Sequence, residues 1–259
     1  MATRIDLPEE NKKFTFLFLR RKDIIMNKHR KAIIDDGMNP EMVYGADFDG
    51  YLGIPIIKKP DHYLIPTDIV PFSQKHRDNA TSVAVGFYEM DTEFSDVLIS
   101  PESYIDEFCK QPLITPENIK PILTPDCSLY RDAPLAVQIT NVYRNRVIGY
   151  YYQSRGAYVI PQIRWGNELT YTTQVLPEPV AFLGAQKHSI VAIGTYGCCR
   201  SKDDKYHFEA GLSAMMEILE PEVVLVYGSM NPKIFDKHLR YARFISYPDW
   251  ITRMKRGDC

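Results

Sequence analysis

Residues 121–229 constrain the fold of this chain more than any other stretch, because apolar strand-like runs recur there with helical text between them. A strand runs into Pro125-Asp126-Cys127-Ser128-Leu129-Tyr130, a long helix follows, and extended text returns from Tyr158 to Trp165. Ile190 to Gly194 and Val223 to Tyr227 are two further apolar runs, each followed by a glycine turn. Uncharged runs rich in β-branched residues read as buried strands. Strands that alternate with helices favour a parallel sheet with right-handed crossovers. The expected fold class is therefore α/β, a largely parallel sheet with helical crossovers. A distorted TIM-like barrel and an open doubly wound sheet both satisfy the pattern.

The helix from about Ala133 to Arg155 is the longest. Asp132 stands at its start, Pro134 suits the first turn, and Gly156 can take the left-handed conformation that ends it. Leu135, Ile139 and Val142 fall on one face, with a polar stripe of Gln138, Asn141 and Asn145 beside them. A second helix, Tyr206 to Leu219, presents Phe208, Leu212, Met215 and Leu219 as its core face. A short helix near Ile234 to Leu239 and a strand from Arg243 to Tyr247 follow.

The amino-terminal part reads differently. Between residues 20 and 31 the chain carries Arg20, Arg21, Lys22, Lys28, Arg30 and Lys31 against one acid, Asp23. Residues 1–44 are therefore assigned as a basic helical segment and 45–259 as a single α/β domain. From Gly45 to Phe72, Pro55, Pro60, Pro66 and Pro71 exclude a regular helix and predict extended pieces and turns. Asp47 and Asp49 resemble the start of a calcium loop, but its further ligands are missing, and a turn is the reading. Ser82 to Tyr88 is a buried strand, followed by the acids Glu89, Asp91, Glu93 and Asp96, read as a solvated loop. Ser100 to about Lys110 reads as a short helix.

Composition removes several functional classes. A net charge of −2 over 259 residues makes the whole chain a poor electrostatic binder of nucleic acid, so any such contact is local. The five cysteines are irregularly spaced, which argues against a disulfide framework and predicts a reducing, cytoplasmic setting. No apolar stretch reaches membrane-spanning length, so no membrane partner is expected. No metal set is recognised: Cys198 and Cys199 are adjacent and lack a C-x-x-C or nearby histidine partner. The pair instead reads as candidate thiols near a helix start.

Ligands in parallel α/β folds bind at the carboxyl ends of the strands. The residues that follow each strand are Asp126, Ser128, Tyr130 and Arg131; Arg164, Trp165 and Glu168; Thr195, Tyr196, Gly197, Cys198 and Cys199; and Tyr227, Gly228, Ser229 and Asn231. Among them Asp126 is the acid–base candidate, and Arg164 either clamps a phosphate or pairs with Asp126. Trp165 and Tyr227 offer stacking faces, while Thr195, Gly197 and Ser229 belong to turns able to present N–H groups to an anion. Gln138 belongs near the same place, because the first turn of its helix sits above the preceding strand. No cofactor is identifiable.

The succession Thr124-Pro125-Asp126-Cys127-Ser128-Leu129-Tyr130-Arg131-Asp132, then Tyr143-Arg144 to Gly149-Tyr150, Val159-Ile160-Pro161 with Arg164-Trp165, Gly194-Thr195 with Gly197-Cys198, and Val226-Tyr227-Gly228-Ser229 resembles the domain-of-unknown-function family numbered 4417. The likeness covers roughly residues 55–248. It implies a protein of bacteriophages, mobile elements or their hosts and brings no established activity. Cys127 stands where the family suggests an aromatic, and Tyr196 where histidine is common. Two functions follow. One is a site for a phosphate-bearing ligand, a nucleotide or nucleic-acid end, at the carboxyl edge of the sheet. The other is a non-catalytic protein that binds a host or phage protein, or DNA, through the basic segment. Whether the chain is an enzyme, and its oligomeric state, are open at this level.

Overall fold

The computed structural model describes residues 40–76, 82–102, 104–105 and 121–257. The basic segment at 20–31 and most of the helix expected from Ser100 to Lys110 lie outside the described residues.

A 3-10 turn, Pro40–Val43, opens the described chain and leads to an antiparallel pair, β1 (Phe48–Asp49) and β2 (Ile54–Pro55). Asp47 and Asp49 flank its turn, with Gly50 and Gly53 at φ +65 and +63, as the turn reading expects. Then come β3 (Asp68–Pro71), β4 (Val83–Gly86), helix α1 (Ser95–Ile99), β5 (Ile122–Leu123), α2 (Leu135–Ser154) and β6 (Val159–Ile160). These four strands pair in parallel in the order β3-β4-β5-β6. A short helix α3 (Glu168–Tyr171) leads to β7 (Ile190–Gly194), α4 (Lys202–Leu219), β8 (Val223–Tyr227), α5 (Pro232–Phe235), β9 (Arg243–Tyr247) and α6 (Trp250–Arg256). Strands β7-β8-β9 form a second parallel set.

A single bridge continues one set into the other: Gln162 pairs with Ala192, the Ile163 N–H donating to Ala192 O at 2.8 Å and the Ala192 N–H to Pro161 O at 3.0 Å. The strands therefore follow one another across the molecule in chain order. The expected largely parallel sheet with helical crossovers is what forms, and it is open: among the described residues no ladder joins β3 to β9. Side chains alone span that gap. Tyr247 Oη donates to Pro66 O at 2.7 Å, and Arg253 pairs with Asp68.

The sheet is buried on both faces, which is why β7 and β8 read as unbroken apolar runs. Val191, Ile193, Val224 and Val226 face α4, where Phe208, Leu212, Met215 and Leu219 meet them as the helical spacing predicts. Alternate residues Ile190, Ala192, Val223 and Leu225 turn the other way, into a cluster shared with Ile69 of β3, Ala84 of β4, Leu123 of β5 and Ile160 of β6. Strands from both ends of the order thus share one inner core, so the sheet curls. On the outer face of β4, β5 and β6, the second half of α2 packs through Val147, Ile148, Tyr151 and Tyr152. Gly156, at φ +90, ends that helix as expected.

Inside α2 sits an arginine that the hydrophobic spacing did not expose. Arg146 is 1% exposed, and carbonyls surround it: Nε donates to Leu183 O at 2.8 Å, Nη1 to Gln162 O at 2.9 Å and Nη2 to Ala181 O at 3.3 Å. Burial brings its pKa down to about 10. These bonds tie the segment before β7 to α2 and to the end of β6. Among the described residues no helix is long and apolar enough to cross a membrane.

Candidate functional site

The carboxyl ends of β5, β6 and β7 converge on a cleft of about 270 Å³ whose lining includes Tyr130, Arg131, Arg164, Trp165, Tyr196 and Cys198. The loop after β5 is fixed from α2 by the polar stripe seen in the sequence. Asn145 Nδ2 donates to Pro125 O at 2.6 Å, Asn141 Nδ2 to Ser128 O at 2.7 Å, and Gln138 Nε2 to Ala133 O at 2.8 Å. The stripe is structural in these bonds: it holds the backbone that carries Asp126 and Ser128.

Asp126 is 2% exposed and Arg164 23%, and they form a two-point pair. Nε donates to Oδ1 at 2.7 Å and Nη2 donates to Oδ2. Nη1, left over by the carboxylate, donates to Cys198 Sγ at 2.8 Å. Burial alone would lower the Arg164 pKa, but above all the Asp126 carboxylate beside it more than offsets this and holds the guanidinium well above its ordinary value. Of the two roles the sequence left open for Arg164, pairing with Asp126 is the one this arrangement contains.

Two residues from the loop after β4 join this floor. Burial raises the Asp91 carboxyl, a Ser128 Oγ–H donated to its Oδ1 at 3.1 Å pulls it back, and the Asp126 charge raises it again. Tyr88 stacks on Tyr227, with ring centroids 4.5 Å apart, and its buried hydroxyl has no hydrogen-bond partner among the described residues. Burial pushes the Tyr88 phenol well up, and the Asp126 charge adds to the effect. The strand-end rule, applied to β4 as it was to later strands, would have found both residues.

The outer wall is aromatic and acidic. Trp165 Nε1 donates to His207 O at 3.1 Å, and its ring tilts against Phe208. His207 Nδ1 lies 3.0 Å from Tyr171 Oη, and the ring also approaches Glu168 and Asp203. Arg131 reaches across the rim to Asp203 and Asp204, the acids of the first turn of α4. Both cleft-lining arginines are thus matched by carboxylates. Tyr130 and Tyr196 are both exposed in this region.

The other expected residues divide. Gly197, at φ +77, lines the cleft, while Thr195 lies buried beneath it, its N–H donating to Tyr227 O at 2.9 Å. Tyr227 points into the inner core, where its hydroxyl accepts from the Trp250 N–H at 2.8 Å, and Ser229 is exposed outside the cleft lining. The two glycine turns are adjacent: a Cβ at Gly228 would collide with Thr195 Oγ1. Gln138 is fully buried, its Oε1 without a partner among the described residues and pressed against Gly166 of the cleft wall. No group of three or more His, Cys, Asp or Glu among the described residues is placed to hold a metal ion.

The chain is 34% identical over 201 residues to the "Gene 1 protein" of Mycobacterium phage L5, covering 74% of this chain and 80% of that protein. It is 31% identical over 201 residues to the "Gene 1 protein" of Mycobacterium phage D29, covering 74% of this chain and 68% of that one. No solved structure matches it. The family model described as Domain of unknown function (DUF4417) matches residues 46–248, most of the chain and every strand from β1 to β9, and the chain belongs to that family.

Proposed function

We propose that the cleft binds one phosphate-bearing ring ligand, a single nucleotide or the end of a nucleic-acid strand. The observation that carries this reading is the meeting of a fixed guanidinium, Arg164, with Trp165, Tyr130 and Tyr196 around one small cavity. Arg164 Nη1, the nitrogen that Asp126 leaves over, suits a single phosphate oxygen or base edge, and aromatic faces suit a base of any sequence. The charge balance sets the size of the guest. Arg131 and Arg164 already have carboxylate partners, so the cleft has little positive charge left for a polyphosphate. Stacking supplies most of the affinity, and Arg164 supplies one polar contact through Nη1. A cavity of about 270 Å³ admits one nucleotide and excludes a duplex.

The test is a thermal-shift titration with nucleoside monophosphates and short 5′-phosphorylated single strands. A guest at 100 times its dissociation constant stabilises by about 2.7 kcal/mol. Arg164→Lys keeps the charge and loses the Nη1 donor, so it weakens the response, and Tyr196→Ala removes a stacking face and weakens it further. Absence of any shift, or equal shifts in wild type and both folded variants, rejects the reading.

A further inference from the structure

Cys198 is set apart from the other described thiols by what it touches. Cys127 is buried, and burial drives its thiol far above the ordinary range. Cys199 is raised to about 11, first by burial and then by the neighbouring sulfur. Cys198 lines the cleft, and its Sγ accepts an N–H from Arg164 Nη1, the one guanidinium nitrogen that Asp126 does not use. Its contact as a donor is weak, to Tyr196 O at 3.5 Å. Asp126 is therefore not only a counter-ion. By taking Nε and Nη2 it fixes the plane of the fork and aims Nη1 at sulfur.

Behind the cleft lie buried polar atoms without a partner among the described residues. Tyr88 Oη lies in the field of Asp126, Arg164 and Cys198 and has no partner among the described residues. The fully buried Gln138 Oε1, likewise without one, presses on the cleft wall at Gly166. Buried polar groups are normally hydrogen-bonded, so these oxygens are able to take a donor. A cation-held sulfur thus lines the cleft, and a phenol and an amide whose oxygens have no partner among the described residues lie behind its wall, against Gly194 and Gly166.

We propose that Cys198 is a nucleophile of the cleft, positioned by the Asp126–Arg164 pair, and that it bonds to a carbon electrophile, alkylating or acylating, that enters there. An electron pair on sulfur forms the S–C bond, the leaving group departs with the electrons of its bond to carbon, and the thiol proton passes to water. The inference uses the cleft described above but stands whether or not the guest carries a phosphate.

The experiment is alkylation of the full chain with iodoacetamide at neutral pH, read site by site by peptide mass spectrometry. The S–C bond forms and iodide leaves. Cys198 is expected to react at least about ten-fold faster than Cys199, because reactivity follows thiolate character and access. Cys109 and Cys259 are read separately. Arg164→Lys and Asp126→Asn, each checked for folding by circular dichroism, are expected to slow Cys198 and displace the pH profile of its labelling while leaving Cys199 unchanged. The wild-type comparison stands without either variant: equal rates at Cys198 and Cys199 overturn the proposal. A Cys198 rate and pH profile untouched in both folded variants overturn the role of the pair. Protection of Cys198 by a nucleoside monophosphate would link this chemistry to the proposed ligand, and its absence in a reactive protein counts against that ligand alone.

Discussion

Tyr88 and Tyr227 lie face to face, their rings 4.5 Å apart and 5° from parallel, although β5, β6 and β7 separate their strands in the sheet. The stack places the Tyr88 hydroxyl beneath the cleft, where it is buried and lacks a partner among the described residues. Tyr88→Phe keeps the stack and removes that unsatisfied group. The variant is expected to be as stable as wild type or more so, by up to about 1 kcal/mol in urea denaturation. A loss beyond about 1 kcal/mol would mean that the hydroxyl has a partner in solution.

Removing one member of the Asp126–Arg164 pair strands the other. Asp126→Ala leaves a guanidinium with Cys198 as its remaining hydrogen-bond partner among the described residues and is expected to cost about 3 kcal/mol. The double variant Asp126→Ala with Arg164→Met is expected to recover a substantial part of that loss, because neither charge then remains. Chemical denaturation of the four proteins gives the coupling. Simple addition of the two single effects would contradict a direct pair.

Asp91 offers a test by pH. Its folded pKa is raised above the ordinary 3.8, so ionisation of this group opposes folding. The penalty is complete above the folded pKa and disappears as pH falls below the unfolded value. Asp91→Asn retains an oxygen acceptor for Ser128 Oγ and carries no charge. It is expected to raise the melting temperature at pH 7 and to match wild type near pH 3, with the difference growing as pH rises between them. A variant less stable at pH 7, or a difference independent of pH, would reject the assignment.

Gly211 lies where α4 crosses Trp165, and a Cβ there would collide with the indole. Alanine at a helix interior normally gains about 1 kcal/mol over glycine. Here the collision is expected to reverse the sign, costing about 1–3 kcal/mol through displacement of the ring. Trp165 is one of two tryptophans, so intrinsic fluorescence reports the movement as a red shift, with a Trp250→Phe background separating the signals. An unshifted spectrum with higher stability would show that the indole has room to yield.

The parts legible in the sequence were those with dense local signal. Strands β7 and β8 announce themselves because both faces are buried, and α2 because its proline start and glycine stop sit at fixed offsets. The start of α4 was expected at Tyr206 but lies at Lys202, where Ser201 and Asp204 form a reciprocal capping box. That signal was present and short. Helix α6, capped by Asp249 and ended by Gly257, is brief and half exposed, so its apolar spacing carries little information.

The site was legible as a set of strand ends but not as a set of partners. Asp126, Arg164, Trp165, Gly197 and Cys198 come together because the parallel order brings their loops to one edge. Tyr227 closes β8 and Ser229 lies just beyond it, yet one turns inward and the other outward, because Gly228 between them, at φ +110, breaks the alternation of the strand. Arg146 escaped notice because its partners are carbonyls far along the chain, and a carbonyl has no sequence signature.

The gap between β3 and β9 gives the molecule a clasp. Every other junction in the curl contains backbone hydrogen bonds, whereas this one is held by Tyr247 on Pro66 and by Arg253 on Asp68. A force that draws the first and last strands apart would part these two contacts before it sheared a ladder. The inner core could then open along a line fixed in advance, with α6 carried away on the departing edge, and strands would peel from that side in reverse chain order. Mechanical weakness is thus concentrated at a seam away from the Asp126–Arg164–Cys198 floor.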